Sequence, residues 1–369
     1  MDAVVFVEFG EAVVRDVPRP EPAPGEVLVS VDRVQLSVTE CQLYRGERVT
    51  GHEAVTRRIE NGNGRVFGHE FCGTAVESGS AVDSIDSGDR VYAPGPVPCE
   101  NCAYCRSDNR ALCDDREIIG MDRPGALAEY LALPADALRV LPDTVSDAEG
   151  AALQPLASAV IDVYDTGVTV GDVVVVIGAG VMGNHCGQVA LTTGASRVFA
   201  VDLRADMVAL ADEHGLVGLD ARADPVEERV LAATDGMGAD VVFEAVGGHQ
   251  DSATAGDGPL ARAFELVRNG GTVSQVGIIP GQLSVEPMVL QHDCVSWVNG
   301  RDLAGSVETG PSSDSARTAI DLVTSGRISV EEFVTHELTG LDAVDEAVEI
   351  TTNKGEYGAY GPAQIALQH

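Results

Sequence analysis

Residues 173–183 read Val-Val-Val-Val-Ile-Gly-Ala-Gly-Val-Met-Gly, and they restrict the possible folds more than any other stretch. Five β-branched residues in a row predict a strand buried on both faces. Gly178, Gly180 and Gly183 follow with G-x-G-x-x-G spacing, and a helical pattern then runs to about residue 193. Residues 197–201 form a second short apolar run that ends on Asp202. This is the strand, helix, strand context that turns three glycines into a dinucleotide turn. Gly178 permits the tight turn, Gly180 lets backbone approach a pyrophosphate, and Gly183 lets helix and strand pack closely. The free N–H groups at the helix start, around Val181 and Met182, hold the phosphates. Asp202 is placed to accept hydrogen bonds from an adenosine ribose diol and to repel a 2′-phosphate, which favours NAD over NADP. Arg204, two residues on, tempers that preference because it could meet a 2′-phosphate.

At 369 residues the chain exceeds one ordinary core, so two domains are expected. Its 58 acidic against 24 basic residues give a net charge of −34, and Lys354 is the only lysine. That excess argues against nucleic acid or an anionic membrane as partner, since both need basic patches. The acids are spread along the chain, and the expectation is a surface adapted to a high-salt cytoplasm, as in halophiles. The N-terminus shows no signal-peptide pattern, and no apolar run approaches a membrane span, so a cytoplasmic location is expected.

Residues 1 to about 140 read as β-rich, with short Val-rich strands at 3–7, 27–34, 74–78 and 90–93. From about Pro155 helices and strands alternate: helices at 206–214, 226–234 and 260–267, strands at 217–219, 240–246 and 272–276. This predicts a doubly wound parallel sheet that ends near residue 300. The last seventy residues carry one clear helix at 315–325 and short extended pieces.

Four of the eight cysteines, Cys99, Cys102, Cys105 and Cys113, fall within fifteen residues. Four thiolates so close on a loop can surround one Zn²⁺ tetrahedrally, and four sulfurs leave no open position, so such a zinc is structural. Paired cysteines or an iron–sulfur cluster are the alternatives. Cys72, Cys186 and Cys294 are expected in the core.

These features in this order resemble the medium-chain dehydrogenase/reductase superfamily, specifically its zinc-containing alcohol and polyol dehydrogenases. Residues 68–79, beginning Gly-His-Glu, resemble its GHE stretch. Residues 88–91, Gly-Asp-Arg-Val, resemble its GDRV turn, and the Cys99–Cys113 loop resembles its structural zinc lobe. Residues 238–247 resemble a late strand of its nucleotide domain, which puts Val246 among the expected cofactor contacts. The resemblance implies an α/β chain with a GroES-like β-rich catalytic domain and a doubly wound Rossmann domain. The expected bounds are 1–155 for the catalytic domain, 156–300 for the nucleotide domain and 301–369 for a return to the catalytic domain. It also implies hydride transfer at the nicotinamide C4, a small alcohol or polyol substrate, and a dimer or tetramer.

The catalytic zinc ligands depart from the family pattern. Ser37 stands at the position of the family's cysteine, Thr39 at its relay hydroxyl, Glu40 at its Asp, and Gln42 at its relay His. His69 and Glu70 match its His ligand and neighbouring Glu, whereas Gln154 stands where the polyol enzymes have Glu. Zinc prefers thiolate, imidazole and carboxylate, so this set should hold it more weakly. Two rescues are open: Cys41 supplying a sulfur, or His69 and Glu70 holding a weak metal with Ser37 or Gln154. Three functions stay open in turn. One is an NAD-dependent dehydrogenase of a secondary alcohol, polyol or sugar, with Thr39, His69, Glu70 and Ser37 at the reacting centre. Another is a metal-free reductase of an activated alkene or carbonyl using hydroxyl donors. The third is a non-catalytic NAD-binding protein. His52 is expected in a loop near the pocket rim, Asp162 on a solvated helix face, and His185 in packing or at the surface. Arg45, Arg48, Arg57 and Arg58 are expected to pair with surface acids.

Overall fold

The computed structural model describes residues 1–107, 109–300, 308–310 and 313–367. The chain divides into two compact units, 1–158 with 302–369, and 159–301. Residues 301–307, at the expected start of the C-terminal segment, lie outside the described residues.

The first unit opens with the antiparallel hairpin β1 (Asp2–Glu8) and β2 (Glu11–Asp16), followed by the long strand β3 (Glu26–Gln35). Two helices follow, α1 (Val38–Tyr44) and α2 (His52–Glu60), then β4 (Glu70–Ser78) and β5 (Arg90–Tyr92). The cysteine lobe contains the single turn α3 (Ala103–Arg106), and beyond it come β6 (Tyr130–Pro134), β7 (Arg139–Val140) and α4 (Asp147–Ala151). These strands join in the order β3-β4-β5-β7, with β6 also paired to β3. The sequence reading missed α1 and α2 in a region it took as β-rich. The overlooked signal for α1 is Ser37-x-x-Glu40, a capping box in which each side chain bonds the other's backbone N–H at 3.2 Å.

α5 (Leu153–Thr166) leads into the second unit, whose strands are β8 (Val173–Ile177), β9 (Arg197–Asp202), β10 (Val217–Asp220), β11 (Ala239–Glu244), β12 (Val267–Gln275) and β13 (Ser296–Val298). Helices α6 (Val181–Thr193), α7 (Ala205–Glu213), α8 (Val226–Ala233), α9 (Pro259–Leu266) and α10 (Pro287–His292) intervene. All six strands are parallel, in the order β10-β9-β8-β11-β12-β13. Read from β8 this is the doubly wound order, and its direction reverses between β8 and β11, where ligands of such sheets bind. All five residues of β8 are buried, each contributing on the order of 2 kcal/mol before chain entropy is counted. Val267 belongs to β12 and not to the preceding helix, because the chain turns directly from α9 into the strand.

The C-terminal residues supply β14 (Glu308–Gly310), β15 (Ser313–Asp314), α11 (Ser315–Thr324), β16 (Glu337–Thr339), α12 (Val344–Thr352), α13 (Lys354–Tyr357) and β17 (Gln364–Ala366). β17 pairs antiparallel with β3, so chain from both ends builds one sheet.

Three expectations need correction. Asp162 is fully buried within α5 instead of solvated, and Cys294 is exposed, not in the core. His52 begins α2 and stacks on Phe9, with ring centroids 4.9 Å apart. A side chain's burial depends on which helix face meets a neighbour, and a lone polar residue carries no such information. His185 is buried in α6, where burial and the neighbouring His214 lower its pKa to about 3. Arg45 pairs with Glu349 at 3.0 Å. Arg58 donates to the backbone carbonyl of Asp122 at 3.2 Å.

Candidate active site

The glycine turn has the form that a dinucleotide requires. Gly178 has φ +90°, which a side chain would strain. A methyl group on Gly183 would stand 1.9 Å from the Gly178 carbonyl oxygen, so only hydrogen fits between helix and strand. A methyl group on Gly180 would meet nothing within 4 Å. Gly180 is also the N-cap of α6 and offers no side-chain cap, so the first N–H groups of that helix remain open to a ligand. Val181 and Met182 are half-buried there. Asp202, at the end of β9, accepts from Ala179 N at 2.8 Å and from Arg204 N at 2.9 Å. A carboxylate has about four acceptor positions, so capacity remains for a diol. The Arg204 guanidinium is engaged by Asp206 at 3.1 Å. Val246, 54% exposed, follows Glu244, whose Oε1 accepts from Val246 N at 3.0 Å and Gly247 N at 2.7 Å. Glu244 is fully buried, and burial raises its pKa against those bonds. The sequence reading did not single it out.

The second cluster surrounds His69. Phe67 and Gly68 both have left-handed backbone, φ +68° and +87°. Positive φ at a bulky residue is rare and marks a site that its surroundings hold in place. The turn aims the Gly68 N–H (2.7 Å) and His69 N–H (3.2 Å) at Glu40 Oε1. The same oxygen lies 2.8 Å from His69 Nδ1. Glu40 thus caps α1 with one oxygen and anchors the imidazole with the other, so that Nε2 is the ring nitrogen Glu40 does not engage. Nε2 is 3.7 Å from Glu70 Oε1. Burial pulls the imidazole pKa down, but the charge and hydrogen bond of Glu40 and the charge of Glu70 outweigh it and raise it to about 9. Burial lifts Glu70 to about 7 against the pull of His69.

Glu70 is held from its other side by a row of amides. Gln364, Gln35 and Glu70 are register partners on β17, β3 and β4. Gln35 Nε2 donates to Glu70 Oε2 at 2.5 Å, and Gln364 Nε2 donates to Gln35 Oε1 at 3.1 Å. Neither glutamine was singled out in the sequence. Each is a buried polar residue at the end of a strand, a position that only a known register makes legible.

Of the expected reacting residues, the structure gathers Ser37, His69 and Glu70 around Glu40. Thr39 sits half-buried in the first turn of α1. Gln154 bonds Ser158 on its own helix, at 3.0 Å. Among the described residues, only Cys99, Cys102, Cys105 and Cys113 bring three or more His, Cys, Asp or Glu donor atoms within 4.8 Å of one another. Cys41 does not join His69 and Glu70 in such a group; it is buried, and burial raises its pKa. The four lobe cysteines form no disulfide, and backbone N–H groups of Cys99, Cys102 and Cys105 point at neighbouring sulfurs at 3.2–3.4 Å. The Cys105 and Asp114 N–H groups lower the Cys102 pKa to about 6, which favours the thiolate. This donor set fits a structural zinc. At the catalytic position the fit fails: of one imidazole and two carboxylates, Glu40 is taken up by α1 and the His69 turn, while Ser37 is used as a helix cap and Gln154 brings no charge.

Residues 23–143 match the alcohol dehydrogenase GroES-like domain, and residues 181–325 match the zinc-binding dehydrogenase domain. A probable D-xylulose reductase A from Aspergillus terreus is 32% identical over 79% of this chain and 79% of its own length. The chain belongs to the zinc-containing alcohol and polyol dehydrogenases of the medium-chain dehydrogenase/reductase superfamily. This medium-chain dehydrogenase is also 29% identical to the L-threonine 3-dehydrogenase of Pyrococcus furiosus, over 93% of its own length and 92% of the relative's. An alcohol dehydrogenase from a Thermus species has the same fold with a TM-score of 0.81 and 26% identity, covering all of both chains. A putative zinc-binding dehydrogenase from Sinorhizobium meliloti 1021, solved bound to NADP, gives a TM-score of 0.81 at 27% identity, covering 99% of this chain and 98% of that one. The GroES-like and Rossmann readings of this medium-chain dehydrogenase are therefore correct.

Proposed function

We propose that the enzyme interconverts a secondary alcohol, polyol or sugar hydroxyl with its carbonyl, using NAD. The arrangement that carries this reading is His69, anchored through Nδ1 by Glu40 with Nε2 left to act, in a chain that also holds the glycine turn. When bound, the nicotinamide supplies a hydride acceptor at C4. The chain's own residues handle the proton. In the oxidation direction the carbon–hydrogen electron pair leaves as hydride, and the hydroxyl proton must go to a base. In this reading Thr39, in the first turn of α1, passes it on, and a neutral His69 Nε2 serves as the base. In the reverse direction the imidazolium returns a proton to the carbonyl oxygen. In this reading Gly178 makes the turn, Gly180, Val181 and Met182 face the pyrophosphate, Gly183 lets helix and strand pack, Asp202 takes the ribose, and Val246 lines the same crevice.

A second reading, a catalytic-zinc-free reductase of an activated carbonyl or alkene, is favoured by the failed donor set and by the raised pKa of His69. In that case the imidazolium is the polarising acid, with the Ser37 and Thr39 hydroxyls as further donors. The four-cysteine lobe would hold one zinc with a purely structural part.

Metal content and mutagenesis separate the readings. One zinc per chain after dialysis, with loss of carbonyl reduction in His69→Ala, is expected for the metal-free site. Two zincs per chain would return the chemistry to a metal-assisted dehydrogenase. Activity surviving His69→Ala on a panel of alcohols, polyols and sugars would remove His69 from both.

We also infer a surface adapted to molar salt, from the acid excess, and a reducing cytoplasmic setting, from the unpaired cysteine cluster. No helix among the described residues is long and apolar enough to cross a membrane.

A further inference from the structure

We propose that Asp206 biases coenzyme choice in this chain against a 2′-phosphate by masking Arg204, beside the ribose carboxylate Asp202. This rests on the dinucleotide reading of the Gly178–Gly183 turn. Asp202 is fixed beside that turn by Ala179 N and Arg204 N, at 2.8 and 2.9 Å. From there Leu203 and Arg204 lead directly into α7, so Arg204 follows two residues after the carboxylate assigned to the ribose. In isolation it would be the cation that a 2′-phosphate meets.

Its fork is already filled. Arg204 Nε donates to Asp206 Oδ1 at 3.1 Å, and Nη2 donates to Asp206 Oδ2 at 2.5 Å. This two-point geometry is the one a guanidinium would otherwise offer to a phosphate. Asp206 is itself pinned in the first turn of α7, where Oδ1 also accepts from Met207 N at 3.0 Å. A 2′-phosphate carries about −2 charge. To use Arg204 it must displace Asp206 and then stand against both carboxylates. A ribose diol meets neither cost, because it needs only the spare acceptor positions of Asp202. Arg222, whose Nη1 donates to the Leu203 carbonyl at 3.1 Å, is a second guanidinium on this edge. It stays unchanged in every comparison below.

The test is a pair of fluorescence titrations, NADH and NADPH, on the purified full chain at one fixed KCl concentration. Circular dichroism melts verify that each variant is folded. The wild type is expected to bind NADH more tightly. Asp206→Asn keeps the side-chain shape and removes the charge. It is expected to raise NADPH affinity by about tenfold while NADH affinity changes far less. Adding Arg204→Ala to Asp206→Asn is expected to abolish that gain. An unchanged NADPH-to-NADH ratio in Asp206→Asn, with both nucleotides bound, overturns the masking. A gain that survives Arg204→Ala overturns the part given to Arg204. A wild type that binds neither nucleotide brings down the dinucleotide reading itself, and the proposal with it.

Discussion

Gly180 and Gly183 stand three residues apart in one motif and do different jobs. At Gly183 the space is closed by the backbone of Gly178, so Gly183→Ala must push helix α6 off strand β8. We expect a loss of more than about 3 kcal/mol in urea unfolding, the upper end of overpacking costs. At Gly180 the added methyl group would enter open space on ordinary backbone, φ −65°. Gly180→Ala is therefore expected to leave stability within about 1 kcal/mol and to weaken NADH binding, read by fluorescence. Equal damage to folding from both substitutions would mean that the open space at Gly180 is not a ligand path. The motif was legible in the sequence because each glycine's missing side chain is itself the signal. His69 was legible in the same way, from its place in Gly-His-Glu. Gln35 and Gln364 were not, since 329 residues separate them and only strand pairing joins them.

The element that couples fold to chemistry is α1, through Glu40. One carboxylate caps the helix, fixes the Phe67–Gly68 turn and orients His69. Its consequence for stability has a definite sign. The pKa of His69 is raised to about 9, above the ~6.5 of an unfolded imidazole. The pair therefore contributes fully below about pH 6.5, and its contribution is lost as pH rises through about 9. Glu70, raised to about 7, acts in the same direction over a lower window, since the folded state resists its ionisation. The wild-type melting temperature is expected to fall between about pH 6.5 and pH 9, and Glu40→Gln is expected to flatten that fall. Near pH 6.5 the same substitution should cost about 1–3 kcal/mol, less than a fully buried pair because the His69 side chain is 20% exposed. A Glu40→Gln variant with an unaltered pH slope would show that His69 is not held as an imidazolium. The capping box was present in the sequence as Ser37-x-x-Glu40, but Val-rich neighbours on both sides drew that region toward strands.

Over the whole molecule, charge dominates. A net charge of −34 spread along both units repels itself in dilute buffer, and salt screens that repulsion over a Debye length of about 10 Å at 0.1 M, falling to about 3 Å at 1 M. Ion pairs such as Arg90–Asp147 and Arg123–Glu26 offset only part of it, with so few basic residues available. The melting temperature is expected to climb steeply with KCl into the molar range. A flat response would show that the acids are not a salt adaptation.

Sequence alone determined what rests on local, contiguous chemistry. This covers the glycine turn with its flanking strands, the terminal acid at Asp202, the four-cysteine loop and the charge balance. Each is written within a few residues, and backbone sterics or metal coordination reads it in place. Tertiary structure decided what depends on distant chain segments meeting. It closed β17 onto β3 and lined up Gln364, Gln35 and Glu70. It set Glu40 on His69 and buried Asp162. Such pairings follow from register and packing, and a one-residue slip of a strand would send Gln364, Gln35 or Glu70 to the opposite face.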